Sequence, residues 1–599
     1  METRERTKSN VTPRLKLVGS PVLERANSAN VEPFVSSESS GNVRNSVDGV
    51  DDALLSELPA FERHEESTAI ELFYDLFFVA NLTTFSNIHE INSIKTLTSY
   101  VGFFCILWFT WCITSLYDIR FVTDSLLARI AKGVHLGVMV GLAVSGPKFD
   151  TTKVTPQLRI IALILMVSRF VLGLQYLLVL FHVREYQKTK LPLGLIGGTN
   201  FVTGFLYMGI SFSFKTSAHA YGAFYVIAGF EMVVNIGVSS QWKVVTFKGT
   251  HLIERMTLLT LYILGEGVID VLKSVAKISQ TQDAWTSANI GTLFGAITAI
   301  YLFYMLYFDT LNRHDFGSIR QQLWSFLHFP FHIALVLCLS GMAQFVIWQK
   351  IMEGFVSFSS QLLQVVKFYT SQTQPDDTTA EQYVLAIQDA ANNTFQVYEP
   401  SDPGRINATM NDMLDNVRNL TSEYYSTPSN QTLNALYVGL SEVVSEVWNS
   451  IIDTYGFQPS DRGGGDVQQF ASDKTVAALN TAQLIFDYFF IATGFTIIFI
   501  GVLGVVNVRS YTIWSWVRFV AHILFGLACC LLCLLATGDG SAALNLSATA
   551  WPLPIMAMIV LVVLAIHHIS WENNEADEKT GEKQYHFLPR WRPNRNGST

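Results

Sequence analysis

The chain has 599 residues, of which half are hydrophobic and only 15% are charged. This composition is typical of an integral membrane protein rather than of several soluble domains. The net charge of −9 argues against a nucleic-acid-binding protein, which would carry a basic surface, so the lipid bilayer is the expected surrounding.

Residues 1–60 are rich in Ser and Asn and hold no apolar signal-peptide core. They are expected to form a disordered cytoplasmic tail. Twelve apolar segments of membrane-spanning length follow. They cover residues 68–88, 99–117, 124–145, 157–181, 193–213, 220–240, 252–272, 288–308, 324–347, 481–507, 513–536 and 547–568. Because backbone groups in lipid must pair internally, the expected fold is all-α, a polytopic transmembrane helix bundle.

A long polar insertion separates spans nine and ten, and its apolar spacing predicts a small acidic, helical ectodomain. Four glycosylation sequons cluster in it, and a fifth lies between spans eleven and twelve. Their acceptor residues are Asn392, Asn407, Asn419, Asn430 and Asn545. With the insertion outside, twelve spans place both termini in the cytoplasm, in agreement with a modest excess of Lys and Arg in the inner loops. The expected location is the plasma membrane or a membrane of the secretory pathway.

The domain organisation follows from these segments. The expected parts are a tail at 1–60, spans one to nine at 61–350, the glycosylated ectodomain at 351–480, spans ten to twelve at 481–568 and a cytoplasmic C-terminal tail at 569–599.

Several polar landmarks recur at a nearly constant spacing. Asp75 and Glu266 lie 191 positions apart, as do Asp118 and Asp309. His135 and His328 lie 193 positions apart. The spacing predicts two six-helix halves with the same orientation, as in parallel-repeat transporters, with the insertion inside the second half. Chance recurrence of rare polar residues is the alternative.

Three stretches carry a resemblance to a known family. They are the Glu-Leu-Phe-Tyr-Asp-Leu segment within 71–79, the His-Leu-Ile-Glu-Arg segment at 251–255 with Leu-Gly-Glu at 264–266, and Leu323-Trp324 with His328 and Pro330. Over roughly residues 60–345 the chain resembles the low temperature requirement protein A family, multi-pass membrane proteins of bacteria and fungi. The insertion and the last three spans look like an elaboration in a fungal-type member. The resemblance implies the fold and, since the family's molecular activity is poorly defined, little about mechanism.

Carboxylates within the apolar segments are the main functional signal. Glu71 and Asp75 share one helix face in span one, and Glu266 and Asp270 repeat that spacing in span seven. At this depth a carboxylate is either paired or protonated. One interpretation is an ion or proton site, and the other is structural pairing, with Arg169 in span four as the obvious partner. The intramembrane polar candidates are Glu71, Asp75, Asp118, His135, Arg169, Glu231, Glu254, Arg255, Glu266, Asp270, Asp309 and His328.

Other chemistry has weak support in the sequence. All six cysteines lie in apolar segments, so neither a disulfide framework nor a thiolate zinc site is expected. His328 and His332 have a metal-ligand spacing but no evident third ligand nearby, so no metal is expected. No phosphate loop, dinucleotide fingerprint or other enzyme signature stands out, which predicts a non-enzymatic protein without a cofactor.

The leading hypothesis is a transporter or channel for a small ion, a proton or another cation. The alternative is a non-transporting scaffold or sensor that presents the glycosylated ectodomain, and a membrane-embedded enzyme comes third. Convergence of the acidic residues on one cavity would favour transport, whereas an arginine opposite each would favour a scaffold. The four residues that decide this are Asp75, Glu231, Glu266 and Asp309.

Overall fold

The computed structural model describes most of the membrane domain and of the insertion. The described residues are 17–21, 61, 66–121, 124–150, 156–214, 219–242, 245–247, 250–281, 285–311, 318–371, 377–399, 403–427, 429–457, 467–508, 511–536 and 541–569. Most of the two tails expected at 1–60 and 569–599 therefore lies outside the described residues.

The described residues form sixteen α-helices and no β-strand, which confirms the all-α fold class. The first eight helices are α1 (Ala69–Ile88), α2 (Ile94–Arg120), α3 (Leu126–Ser145), α4 (Pro156–His182), α5 (Gln187–Ser213), α6 (Gly222–Gln241), α7 (Leu252–Ile278) and α8 (Ser287–Thr310). The other eight are α9 (Ser318–Thr370), α10 (Asp377–Val397), α11 (Pro403–Ser426), α12 (Asn430–Thr454), α13 (Val467–Asn507), α14 (Ile513–Leu531), α15 (Ser541–Ser547) and α16 (Pro552–His568).

Local sequence explains where several of these helices begin. Ser93 precedes α2, and its hydroxyl accepts a hydrogen bond from the backbone N–H of Thr96 at 3.2 Å. The Thr96 hydroxyl in turn accepts from the backbone N–H of Ser93, which completes a capping box. Thr512 and Ser515 form the same arrangement at the start of α14. The caps satisfy backbone donors that would otherwise enter the bilayer unpaired.

Each of the twelve predicted spans is helical in the structure. Nine helices in the described part of the chain are long and apolar enough to cross a membrane, and α16 is a shorter apolar helix. The helices α1 and α7 are not among the nine. These two helices hold six of the twelve candidate residues, and the charges lower their mean hydropathy. Twelve spans therefore stays a prediction.

The insertion is continuous with the membrane domain. The helix α9 runs without a break past the predicted boundary at 350, and α13 runs past the predicted boundary at 480. Between them, α10, α11 and α12 pack against one another, and α10 and α12 also pack against α9. All five predicted glycosylation acceptors have exposed side chains.

Aromatic side chains join the insertion to one end of the helix bundle, which we call the insertion end. The ring of Trp348 on α9 lies 6.0 Å from that of Trp448 on α12 and 5.6 Å from that of Phe457. The hydroxyl of Tyr455 lies 3.3 Å from that of Thr281, which follows α7. The end of the bundle at which α1 and α7 begin is called the opposite end.

The order of helix packing is the same in two groups of six helices. The first group is α1 to α6, and the second is α7, α8, α9, α13, α14 and α16. Seven helix pairs pack in the first group: α1–α2, α1–α3, α2–α4, α2–α6, α3–α4, α4–α5 and α5–α6. Each has a counterpart in the second group: α7–α8, α7–α9, α8–α13, α8–α16, α9–α13, α13–α14 and α14–α16. This correspondence supports the predicted repeat, which a superposition of the two groups would test.

Candidate functional site

The first helices of the two groups run side by side and carry a row of polar contacts. Along α1 and just after it, the contacting residues are Glu71, Asp75, Thr83 and Glu90. Their partners just before α7 and along it follow in the same order: His251, Arg255, Glu266 and Lys277. The two helices are therefore parallel, as two halves of equal orientation require. The row ends with Lys277, whose ammonium lies 3.4 Å from the Glu90 carboxylate.

A buried group of four charged or ionisable residues lies near the opposite end of this interface. We call Glu71, Asp75, His251 and Arg255 the α1–α7 cluster. The Glu71 carboxylate accepts hydrogen bonds from the backbone N–H of Thr68 at 2.9 Å and from His251 Nε2 at 3.1 Å. It also lies 3.5 Å from Nη1 of Arg255.

Asp75 is held by two strong donors. Its Oδ1 atom accepts from Nη2 of Arg255 at 2.6 Å and from Nε1 of Trp111 at 2.7 Å. The same guanidinium nitrogen donates to the hydroxyl of Ser115 at 3.0 Å. Charge-assisted bonds of this kind make Asp75 a structural anchor between α1, α2 and α7.

Arg169 was the predicted partner of Asp75, but the structure pairs it with Glu231. Arg169 Nε donates to Glu231 Oε1 at 2.7 Å, and both side chains are 1% exposed. Arg169 does not pair with Asp75 because the two residues lie at different positions along the axis of the bundle. Arg169 and Glu231 lie near the middles of α4 and α6, whereas Asp75 lies nearer the start of α1, level with the first turn of α7.

A second buried arginine has only neutral partners among the described residues. Arg120, at the end of α2, donates to Tyr176 at 3.0 Å and to the Asn235 side chain at 3.2 Å, and also to Ser239. Its guanidinium carbon lies 4.2 Å from the centre of the Phe247 ring. The helix C-terminus stabilises this cation.

Two further candidates pair with neighbours on α3 and α4. Lys132 on α3 donates to the carboxylate of Asp118, and its ammonium lies 4.7 Å from the centre of the Tyr74 ring. His135 Nε2 lies 2.9 Å from the side-chain oxygen of Gln175. These contacts join α1, α2, α3 and α4 in one buried network.

The hydrogen bonds of the two histidines on α9 use both nitrogens of each ring. Trp108 Nε1 can only donate, so His332 Nδ1, 3.1 Å away, must be unprotonated. His332 Nε2 then donates to Thr260 at 2.8 Å, and this ring is neutral. His328 Nδ1 donates to the backbone oxygen of Trp324 at 2.8 Å, and its Nε2 lies 2.8 Å from the Tyr307 hydroxyl.

Glu266 and Asp270 lie in the middle of the interface, nearer the insertion end. The Thr83 hydroxyl donates to Glu266 Oε2. Asp270 Oδ1 accepts from Lys273 Nζ at 3.1 Å, and the same ammonium lies 3.9 Å from Glu266 Oε1. Within the described ranges no arginine contacts either carboxylate.

The remaining two acidic candidates lie at helix ends. Glu254 accepts a hydrogen bond from the backbone N–H of Ser67 at 3.1 Å. Asp309, at the end of α8, accepts from His568 Nε2 at 3.0 Å, and both side chains are partly exposed.

The four deciding carboxylates do not share one cavity. Asp75 and Glu231 each face an arginine, Glu266 faces Thr83 and Lys273, and Asp309 faces a histidine. Two well-formed cavities within the described part of the chain have volumes of about 20 Å³, close to the space of one water molecule. Neither is lined by any of these four residues.

The glycines beside Glu266 have different surroundings. A methyl group on Gly267 would lie 2.6 Å from a side-chain carbon of Leu339, so α9 packs closely there. A methyl group on Gly265 would meet nothing within 4 Å among the described residues. The close helix approach expected from this motif therefore occurs at one glycine.

Some residues of the site were missed in the sequence. Lys273 carries a readable signal, because it follows Asp270 by three positions and so shares its helix face. Arg120 closes a span and was counted only as a loop charge. Trp111 and Thr83 carry no signal, since their contacts depend on how α1 packs against its neighbours.

An all-helical bundle with apolar outer faces and paired charges inside it defines a multi-pass membrane protein. A family model described as bacterial low temperature requirement A protein (LtrA) matches residues 66–373, about half of the chain. The chain therefore belongs to the LtrA family, as the three sequence stretches predicted. The matched range covers α1 to α9. No curated protein and no solved structure matches the chain.

Proposed function

We propose that this LtrA protein is a transporter or channel for a small ion, a proton or another cation. The proposal is supported by the polar row between α1 and α7. From Glu254 to Lys277 this row extends about 35 Å along α7, somewhat more than the roughly 30 Å of a bilayer core. Polar groups at membrane depth are costly and commonly mark ion pathways.

The observation that carries the proposal is the environment of Glu266. Asp75 and Glu231 are neutralised by buried arginines, so their charges require no further ion. Glu266 has a threonine hydroxyl and a more distant lysine ammonium instead. A buried carboxylate that lacks a close cation is suited to binding and releasing one.

The packing also supports a transport mechanism. The α1–α7 interface joins the first helices of the two six-helix groups. In parallel-repeat transporters the substrate site lies between the halves, which move relative to each other. A rearrangement at this interface would open Glu266 to one side of the membrane and then to the other.

A scaffold or sensor is the second candidate function. It is favoured by the neutralised Asp75 and Glu231. The exposed glycosylation acceptors suit a surface that is displayed outside the membrane. Both candidates are non-enzymatic, and both place the protein in the plasma membrane or the secretory pathway.

Ion flux in vesicles separates the two functions. Purified full-length protein is reconstituted into liposomes that contain a dye selective for H⁺, Na⁺ or K⁺, and the gradient of the matching ion is imposed in each case. We expect the wild type to dissipate at least one gradient. Glu266→Gln should fold normally and lose that flux, while the control Asp309→Asn should retain it, since Asp309 lies at a partly exposed helix end. A wild type that moves none of the three ions would favour the scaffold.

A further inference from the structure

The Glu266 and Asp270 carboxyl groups form a pair that no arginine contacts among the described residues. Both lie on one face of α7, one helical turn apart. Their side chains are 3% and 15% exposed. The same Lys273 ammonium lies within 4 Å of both carboxyl groups. Two carboxylates offer acceptor sites only, so a hydrogen bond between them requires a proton.

The surroundings supply one positive charge for two acids. The Lys273 ammonium, with a side chain 36% exposed, contacts Asp270 closely and Glu266 only at 3.9 Å. Glu266 Oε1 is buried and accepts no hydrogen bond from any described residue. Its nearest described cation is the Lys273 ammonium, 3.9 Å away, and an ion or proton there would bridge the groups.

The neighbouring helices add no second cation among the described residues. On α1, Thr83 donates to Glu266. On α2, the neutral Tyr100 hydroxyl lies 3.2 Å from that of Ser86 on α1. On α9, Leu339 packs against Gly267. The next charged pair along the interface is Glu90 with Lys277, which neutralise each other.

We propose that Glu266 and Asp270 are a proton-binding site that holds one shared proton at neutral pH. One proton with two carboxylates leaves a single negative charge, which the Lys273 ammonium balances. The buried site thus has a net charge of zero, although no arginine contacts it. The role of this proton in transport rests on the proposed function, but its presence does not.

The test is infrared spectroscopy of the full-length protein in detergent at neutral pH. The carbonyl stretch of a protonated carboxyl group is separate from the bands of a carboxylate. We expect the wild type to show this band, and we expect Glu266→Gln and Asp270→Asn each to remove it. Asp309→Asn is the matched control and should keep the band.

Each outcome bears on the site independently of flux. A folded wild type without a protonated-carboxyl band would overturn the proposal, as would a band that survives both substitutions. A band that disappears when Na⁺ is added would replace the proton site by a cation site. A vesicle assay that shows no flux while the band behaves as expected would reject transport but keep the site.

Discussion

Asp75 and Arg255 are 180 positions apart in the chain, yet Oδ1 of one lies 2.6 Å from Nη2 of the other. Both side chains are fully buried. This ion pair joins the first helices of the two six-helix groups at one end of their interface. It therefore acts as a fixed contact, and any movement between the groups must either keep it or break it.

Replacing Asp75 by Asn should strongly destabilise the protein. The substitution removes the closer of the two carboxylates beside Arg255 and leaves only that of Glu71, 3.5 Å from the guanidinium, at a cost of up to about 3–5 kcal/mol. Unfolding in detergent, followed by tryptophan fluorescence, measures the loss. Asp124→Asn is the matched control, because Asp124 and Arg129 form an exposed pair with side chains 69% and 62% exposed, worth about 0–1 kcal/mol. Equal effects of the two substitutions would contradict the anchoring role of Asp75.

The pair of Arg169 and Glu231 should behave as a unit. Either single substitution, Arg169→Gln or Glu231→Gln, leaves a buried charge without its partner and should cost about 3–5 kcal/mol. The double substitution leaves two neutral amides and should cost less than the sum of the single effects. A double-mutant cycle on unfolding free energies measures this difference. Additive effects would show that the two side chains do not interact in the membrane.

The close approach of α13 to α14 predicts a strong effect of a single methyl group. A Cβ atom on Gly494 would lie 2.3 Å from the backbone oxygen of Gly526, and a backbone atom cannot move aside cheaply. Gly494→Ala should therefore lose about 1–3 kcal/mol of stability. Gly291→Ala is the control, since a Cβ there meets nothing within 4 Å and alanine favours helix by about 1 kcal/mol. Thermal unfolding of both variants gives the comparison.

The expected topology, with the insertion outside the cytoplasm, predicts glycosylation of Asn392, Asn407, Asn419 and Asn430. When the protein is expressed in a eukaryotic host, endoglycosidase should reduce its apparent mass. Replacing the four residues by Gln should remove most of the shift and leave the contribution of Asn545. If all four acceptors are unmodified while the protein reaches the membrane, the orientation with both termini in the cytoplasm loses its main support.

The helices were predictable because each signal is local. A run of about twenty apolar residues must be helical in lipid, whatever surrounds it. The partners of the charges were harder, because Asp75 could meet either Arg169 or Arg255 depending on how the helices pack. The repeat spacing of 191 does not predict these partners either. It relates equivalent positions in the two groups, whereas the contact between α1 and α7 places Thr83, and not Asp75, against Glu266.

The special status of Glu266 also depends on the structure. In the sequence, Glu71 with Asp75 and Glu266 with Asp270 have the same spacing on their helices. Only the packing places Arg255 beside the first pair and leaves the second with a partly exposed lysine. Two pairs of acidic residues with the same spacing therefore have different partners in the structure. This difference is the reason that Glu266, and not Asp75, is the candidate ion-binding residue.

The two unbroken helices that carry the insertion have a mechanical consequence. The helix α9 has 53 residues and is about 80 Å long, and α13 adds a second rod of 41 residues packed against it. Neither helix ends where the membrane domain was predicted to end, so the structure places no loop there that could act as a joint. Because α9 carries His328 and His332 in the bundle and continues into the insertion, a tilt of the insertion is expected to shift these two residues.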